Sequence, residues 1–141
     1  MSTSTIKASR QIAAASNASL LPLVGRIGLA GIFLLSGVSK ALDPVGSMAY
    51  IASVGLPFPS LALAGAILVE ILGGVLLVLG YRTRLVAGAL ALFSLATALF
   101  FHSNLGDANQ FIHFFKNIAM AGGLAQVVAF GAGTLSLDAR R

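Results

Sequence analysis

Four nearly unbroken apolar stretches, approximately Leu20–Ser39, Leu61–Gly80, Leu85–Phe101 and Phe111–Phe130, occupy most of a 141-residue chain. Each approaches the roughly 20 residues that a helix needs to cross a hydrocarbon core about 30 Å thick. Lipid offers no partner to backbone N–H and C=O groups, so a segment that crosses it must satisfy them internally and become helical. Short connections between the last three stretches make antiparallel neighbours of them. The expected fold class is an all-α membrane protein, a four-transmembrane-helix antiparallel bundle. Composition agrees: 57% of residues are hydrophobic and 9% charged, against about 25% charged in a soluble domain. The spans leave no length for a separate soluble catalytic domain.

The distribution of Lys and Arg orients such a bundle. With the N-terminus in the cytoplasm, Lys7, Arg10, Arg82, Arg84, Arg140 and Arg141 share that side, and Lys40 and Lys116 fall toward the other. Both termini are expected to be cytoplasmic, with the first and third loops outside, in the periplasm if the cell has an outer membrane. The net charge of +5 follows from this asymmetry, with anionic lipid headgroups as counter-charge. The basic residues form no stripe of the kind nucleic acid requires, so the bilayer is the expected partner and nucleic acid is not. Residues 1–19, rich in Ser and Ala, read as a disordered cytoplasmic tail, 20–134 as the membrane domain and 135–141 as a second tail. The first span exceeds the length of a signal-peptide core, about 7–15 residues, so an uncleaved anchor is expected.

Between the first two spans, Asp43-Pro44 offers an N-cap followed by proline at the first helical position, and Gly55, Pro57 and Pro59 supply a stop. The intervening VGSMAYIASV is apolar and too short to span, which predicts a short interfacial helix. It is either a lid over the outer mouth of the bundle or a plain plug of helix ends.

Glu70 stands in the middle of the second apolar stretch. A charge at the bilayer centre costs about 2.5–3.5 kcal/mol on insertion scales, so it is expected to face protein and to have a partner. Ala62, Ala66, Glu70 and Gly74 recur every fourth residue, a stripe that lets helices approach closely. In the first span, Arg26, Ala30, Phe33, Gly37 and Lys40 share one face, which is expected to look inward. Helical side chains lean toward their own N-terminus, so Glu70 leans to the outer side, Lys40 into the membrane and Arg26 toward the cytoplasm, where it can snorkel. Lys116 and Lys40 are equal candidates for the partner of Glu70, ahead of Arg26.

His102 and His113 fall on the outer side with Asp107 and Asn117 near them in sequence. With Lys40, Lys116 and Glu70 as a floor, these residues could line a polar cavity open to the outside, suited to a small polar or quinone-like headgroup. Histidine also titrates near neutral pH and could pass protons. The competing account leaves both imidazoles simply solvated at the membrane interface. The chain contains no cysteine, which removes thiol redox chemistry, disulfides, iron–sulfur clusters and covalent haem. No metal site and no intrinsic cofactor are expected.

Three segments carry a resemblance: GRIGLAGIFLLSGVSKALDP at the first span, ILVEILGGVLLVLGYRTR around the buried acid, and HFFKNIAMAGGL opening the fourth span. Together they make the chain resemble the DoxX family of small four-helix bacterial membrane proteins, from Leu21 to about Gly133. The resemblance implies a cytoplasmic-membrane protein connected with quinone-linked oxidoreductases or with complexes that handle oxidative and thiol stress. Any thiol would then belong to a partner. The family's recurring polar positions correspond to Arg26, Lys40, Glu70, Lys116 and Asn117. Two functions are compatible with this: a non-catalytic accessory or anchoring subunit that presents a quinone to an oxidoreductase partner, or a small proton-coupled carrier or channel-like protein that uses Glu70 and a buried lysine. A homo-oligomer is compatible with either.

Overall fold

The computed structural model describes residues 3–141, with side chains described for all of these except 15–18. Five α-helices and a terminal 3-10 turn follow in order: α1 (Thr3–Leu42), α2 (Pro44–Ser53), α3 (Pro59–Leu79), α4 (Thr83–Phe101), α5 (Ala108–Phe130) and the turn Asp138–Arg140. Four of the helices, α1, α3, α4 and α5, are long and apolar enough to cross a membrane. They run alternately up and down, as the short connections require. Leu35, Leu68, Leu85, Leu92, Leu99 and Ile112 stand exposed on the outside, the reverse of a soluble protein and the arrangement for a surface solvated by acyl chains.

The interfacial helix α2 forms as its sequence specifies. The Asp43 carboxylate accepts the Gly46 N–H at 3.0 Å, Pro44 occupies the first helical position, and the chain leaves through Gly55 at φ +81°. The first helix differs from expectation. Residues 3–19, read from sequence as a disordered tail, continue α1 without a break, all the way from Thr3. Nucleation is the costly step in helix formation. A span that is already helical removes that cost for the Ala-, Ser-, Lys- and Arg-containing segment preceding it.

The helices pack as two pairs, α1 along α3 and α4 along α5, with α3 against α4 between the pairs and α1 touching α5 at few points. Gly37 allows a close approach in the first pair. A Cβ at this position would lie 2.7 Å from Ile71 Cγ1 and 3.1 Å from Glu70 Cβ. Ala30, Phe33, Leu77, Ala87, Leu90 and Leu124 form the buried core, which lies in the half of the bundle nearest the α3–α4 turn. The half beneath α2 is more open.

The C-terminal segment also departs from the tail expected of residues 135–141. It folds back across the end of α3. An α-helix leaves its last four carbonyls without intrahelical partners, and here each finds one. Leu76 O accepts from Tyr81 N, Leu77 O from Gly80 N, Leu79 O from Leu137 N and Gly80 O from Asp138 N, while Arg26 supplies Val78 O and a second bond to Leu77 O. Gly80, at φ +67°, makes the left-handed stop, and an added Cβ there would collide with Ser136 and with Arg26 Nη1.

Asp138 completes this clasp. Its carboxylate accepts the amides of Arg82 and Thr83, both at 2.8 Å, and so caps α4 from 55 residues away in sequence. Arg82 at φ +44° provides no side-chain cap of its own. Thr83 first, through its amide at 2.8 Å, then the Arg82 amide and the Arg141 charge, hold the Asp138 carboxyl below the ordinary carboxylate range against the opposing effect of burial, while the buried Thr83 hydroxyl itself makes no hydrogen bond among the described residues. Replacing Asp138 with alanine is expected to cost about 0.5–2 kcal/mol, as for other lost N-caps. The lowered value means that the unfolded chain takes up a proton first on acidification. The contribution of Asp138 is therefore complete above the unfolded value of 3.8 and is lost as the pH falls through the folded value. Hydrogen exchange at the Arg82 and Thr83 amides reads both effects, and amides equally protected in wild type and Asp138→Ala would refute the cap.

Candidate functional site

A cavity of about 510 Å³ opens beneath α2, between the two helix pairs. Its walls are mostly apolar and aromatic, with Phe33 from α1, Ala62 and Ala66 from α3, Phe93, Phe100 and Phe101 from α4, and Met120 from α5. Tyr50 and Ile51 of α2 roof it. The Tyr50 hydroxyl donates to Phe101 O at 3.2 Å with the two rings 5.5 Å apart, which ties the short helix to the end of α4.

Glu70 reaches the cavity floor from α3 with only 4% of its surface exposed. Lys40 Nζ donates to both carboxylate oxygens, at 2.9 and 3.0 Å, and to Ser36 Oγ at 2.7 Å, while the Ser36 hydroxyl donates to Glu70 Oε1 at 3.0 Å. The three side chains form a closed ring. Of the two lysines that the sequence leaves equal, Lys40 is the partner, and it makes the one ion pair found among the described residues. The reason lies in helix adjacency. α1 lies directly along α3 at the Gly37 approach, whereas Lys116 is carried by α5, which is not a neighbour of α3. Ser36 joins the ring from one helical turn before Lys40, a spacing legible in the sequence.

Lys116 lines the same cavity and bonds His113 Nδ1 at 2.9 Å. The His113 ring stacks on His102 with centroids 5.0 Å apart, and His102 Nδ1 faces Gln110 Oε1 at 2.7 Å. Asn117 is buried and donates to His113 O at 2.9 Å. Asp107 stands apart from the cavity lining; it caps α5 by accepting the Gln110 N–H at 2.9 Å. The cavity therefore joins Lys40, Glu70, Lys116, Asn117 and His102, with His113 behind Lys116. Lys40 and Glu70 neutralise each other, and Lys116 has no carboxylate.

Arg26 does not belong to this group. It is 1% exposed, lies at the opposite end of the bundle, and donates through Nη1 to Leu77 O and Val78 O and through Nη2 to Leu135 O. Its lean toward the cytoplasm predicts a side chain that snorkels to headgroups. Instead, the three carbonyls and the negative end of the α3 dipole surround the guanidinium and solvate its charge. The recurrence of Arg26 on the inward face with Ala30 and Phe33 was legible; its acceptors were not, because two of them are backbone atoms exposed only by the end of α3.

A sequence model described as DoxX matches residues 21–103. The chain is 36% identical over 126 residues to the inner membrane protein YphA of Escherichia coli, covering 86% of this chain and 90% of that protein. It is 34% identical over 116 residues to the inner membrane protein YqjF of the same organism, covering 82% and 88% respectively. No solved structure matches.

Proposed function

The chain belongs to the DoxX family, and from that premise we propose that it is an accessory, non-catalytic subunit of a quinone-linked or oxidative-stress redox system in a bacterial inner membrane, binding a quinone headgroup in the cavity beneath α2. The names of its relatives supply the membrane. The excess of Lys and Arg at the end that carries both termini and the α3–α4 turn supports a cytoplasmic placement of that end, so the cavity opens to the periplasm.

The observation that carries the reading is the chemistry of the cavity. A quinone headgroup is a flat, mostly apolar ring with acceptor oxygens at opposite edges. Phe33, Phe93, Phe100 and Phe101 give flat apolar walls, and Lys116, which spends one of its three N–H groups on His113, gives the free charge-assisted donor. A volume near 510 Å³ lies within the usual range for small-molecule sites, about 300–1,000 Å³. A bound quinone would supply electron-carrying capacity, and the protein's residues would orient its oxygens and exclude water. The carrier reading has less support. On the far side of the cavity Leu77, Leu90 and Leu124 are fully buried, and the three carbonyl bonds of Arg26 leave it no part in a relay.

Decylubiquinone titrated into the protein in lipid nanodiscs is expected to bind saturably. Ala66→Leu, which adds bulk to the cavity wall, should abolish binding. Lys116→Met removes one charge-assisted donor, worth about 1.5–3 kcal/mol, and should weaken it at least roughly tenfold. Binding that ignores both substitutions would refute the cavity as the site.

A further inference from the structure

At the opposite end of the molecule, a second and shallower cleft of about 600 Å³ lies between the start of α4 and the chain that follows α5. Two kinds of wall meet in it. Arg82 and Arg84 line one part; Leu85 and Phe130 line another, and these two apolar side chains are 68% and 79% exposed. We infer that this cleft is a binding site for the phosphate of an anionic phospholipid, with the phosphate held between Arg82 and Arg84 and the acyl chains running along Leu85 and Phe130.

Charge leads to this occupant. Neither guanidinium has an ion-pair or hydrogen-bond partner among the described residues. Asp138, the only carboxylate in the cleft, has its oxygens engaged by the Arg82 and Thr83 amides and does not turn to the arginines. The Arg84 guanidinium lies over Gly131, where an added Cβ would sit 3.4 Å from Nε and 3.6 Å from Nη2, so it is directed across the cleft toward the end of α5. Arginine suits this task because its planar fork binds two phosphate oxygens at once. The cleft also sits where the spans end, the depth at which a bilayer presents its phosphates. A free phosphate ion would use the arginines and leave the apolar wall idle, whereas a phospholipid uses both.

The test is a titration of the delipidated, detergent-solubilised protein followed by native mass spectrometry. The probes are dioleoylphosphatidylglycerol, dioleoylphosphatidylcholine and inorganic phosphate. One tight phosphatidylglycerol adduct is expected, with phosphatidylcholine weaker and inorganic phosphate unable to displace it. Each basic residue at a membrane surface strengthens anion attraction by roughly fivefold, so Arg82→Gln with Arg84→Gln should weaken the adduct about 30-fold. Arg82→Lys with Arg84→Lys should retain most of it. Lys7→Gln with Arg10→Gln removes the same charge from exposed residues that do not line the cleft and should leave it intact. An equal loss from both glutamine pairs would reduce the effect to general surface charge and overturn the site. Displacement by inorganic phosphate would overturn the lipid assignment. Neither guanidinium makes an internal bond, so a glutamine pair that fails to fold would also overturn the inference.

Discussion

Lys40→Met is expected to destabilise the detergent-solubilised protein by about 3–5 kcal/mol, the usual consequence of leaving one member of a buried ion pair behind. Glu70→Gln should cost less, and the asymmetry follows from exposure. The Glu70 side chain is 5% exposed and that of Lys40 29%, so an abandoned ammonium can turn into the cavity and find water while an abandoned carboxylate keeps only the Ser36 hydroxyl. Combining Lys40→Met with Glu70→Gln removes both charges and should recover most of the loss. Combining Lys116→Met with Glu70→Gln should recover none. Denaturant unfolding of these four variants, Lys116→Met and wild type in one detergent measures all of this in two double-mutant cycles that share Glu70→Gln. Recovery through Lys116 instead of Lys40, or unfolding midpoints that coincide throughout, would refute the pairing.

Arg26→Leu should have an effect of similar size at the other end of the bundle. Hydrogen bonds to charged groups contribute about 1.5–3 kcal/mol each, and a buried acceptor left without one carries a desolvation penalty. Arg26 serves three carbonyls on two separate elements, Leu77 and Val78 in α3 and Leu135 in the returning chain, so a loss on the order of 4 kcal/mol is expected. Arg26→Lys should recover only part of it. One compact ammonium cannot reproduce a planar fork whose two ends reach different elements. The informative readout is local: limited proteolysis should cut after Arg140 and within residues 134–141 faster in Arg26→Leu than in wild type, before the spans unfold. An unchanged cleavage rate would mean that Asp138 and the backbone bonds hold the clasp without Arg26.

The positions of the two interactions in sequence explain why one was anticipated and the other was not. Glu70 announces itself because carboxylates are rare at mid-membrane, and its possible partners are few enough to name. The neighbours of Arg26 are main-chain oxygens, which any residue possesses, and no side-chain pattern marks them. Asp138 illustrates the same difficulty. In sequence it is one acid near the end of the chain; it becomes the cap of α4 only when the segment after α5 turns back over α3. Ser36 belongs to an intermediate case, since its spacing from Lys40 was visible while its bond to Glu70 required the α1–α3 contact.

By itself the sequence determined the four spans, the short capped helix between the first two, the inward face of Arg26, Ala30, Phe33, Gly37 and Lys40, and the need of Glu70 for a cation. These follow from periodicity, from local capping chemistry and from the absence of water in a bilayer, all of which act over a few residues or over a whole segment. Tertiary structure alone decided that Lys40 rather than Lys116 meets Glu70, that Arg26 and Asp138 clasp the end of α3 and the start of α4, and that the cavity expected on the outer side has mostly apolar, aromatic walls. Those outcomes depend on which helices are neighbours and on where backbone ends are left unsatisfied. A hydropathy pattern assigns every span to the membrane and says nothing about which span lies beside which.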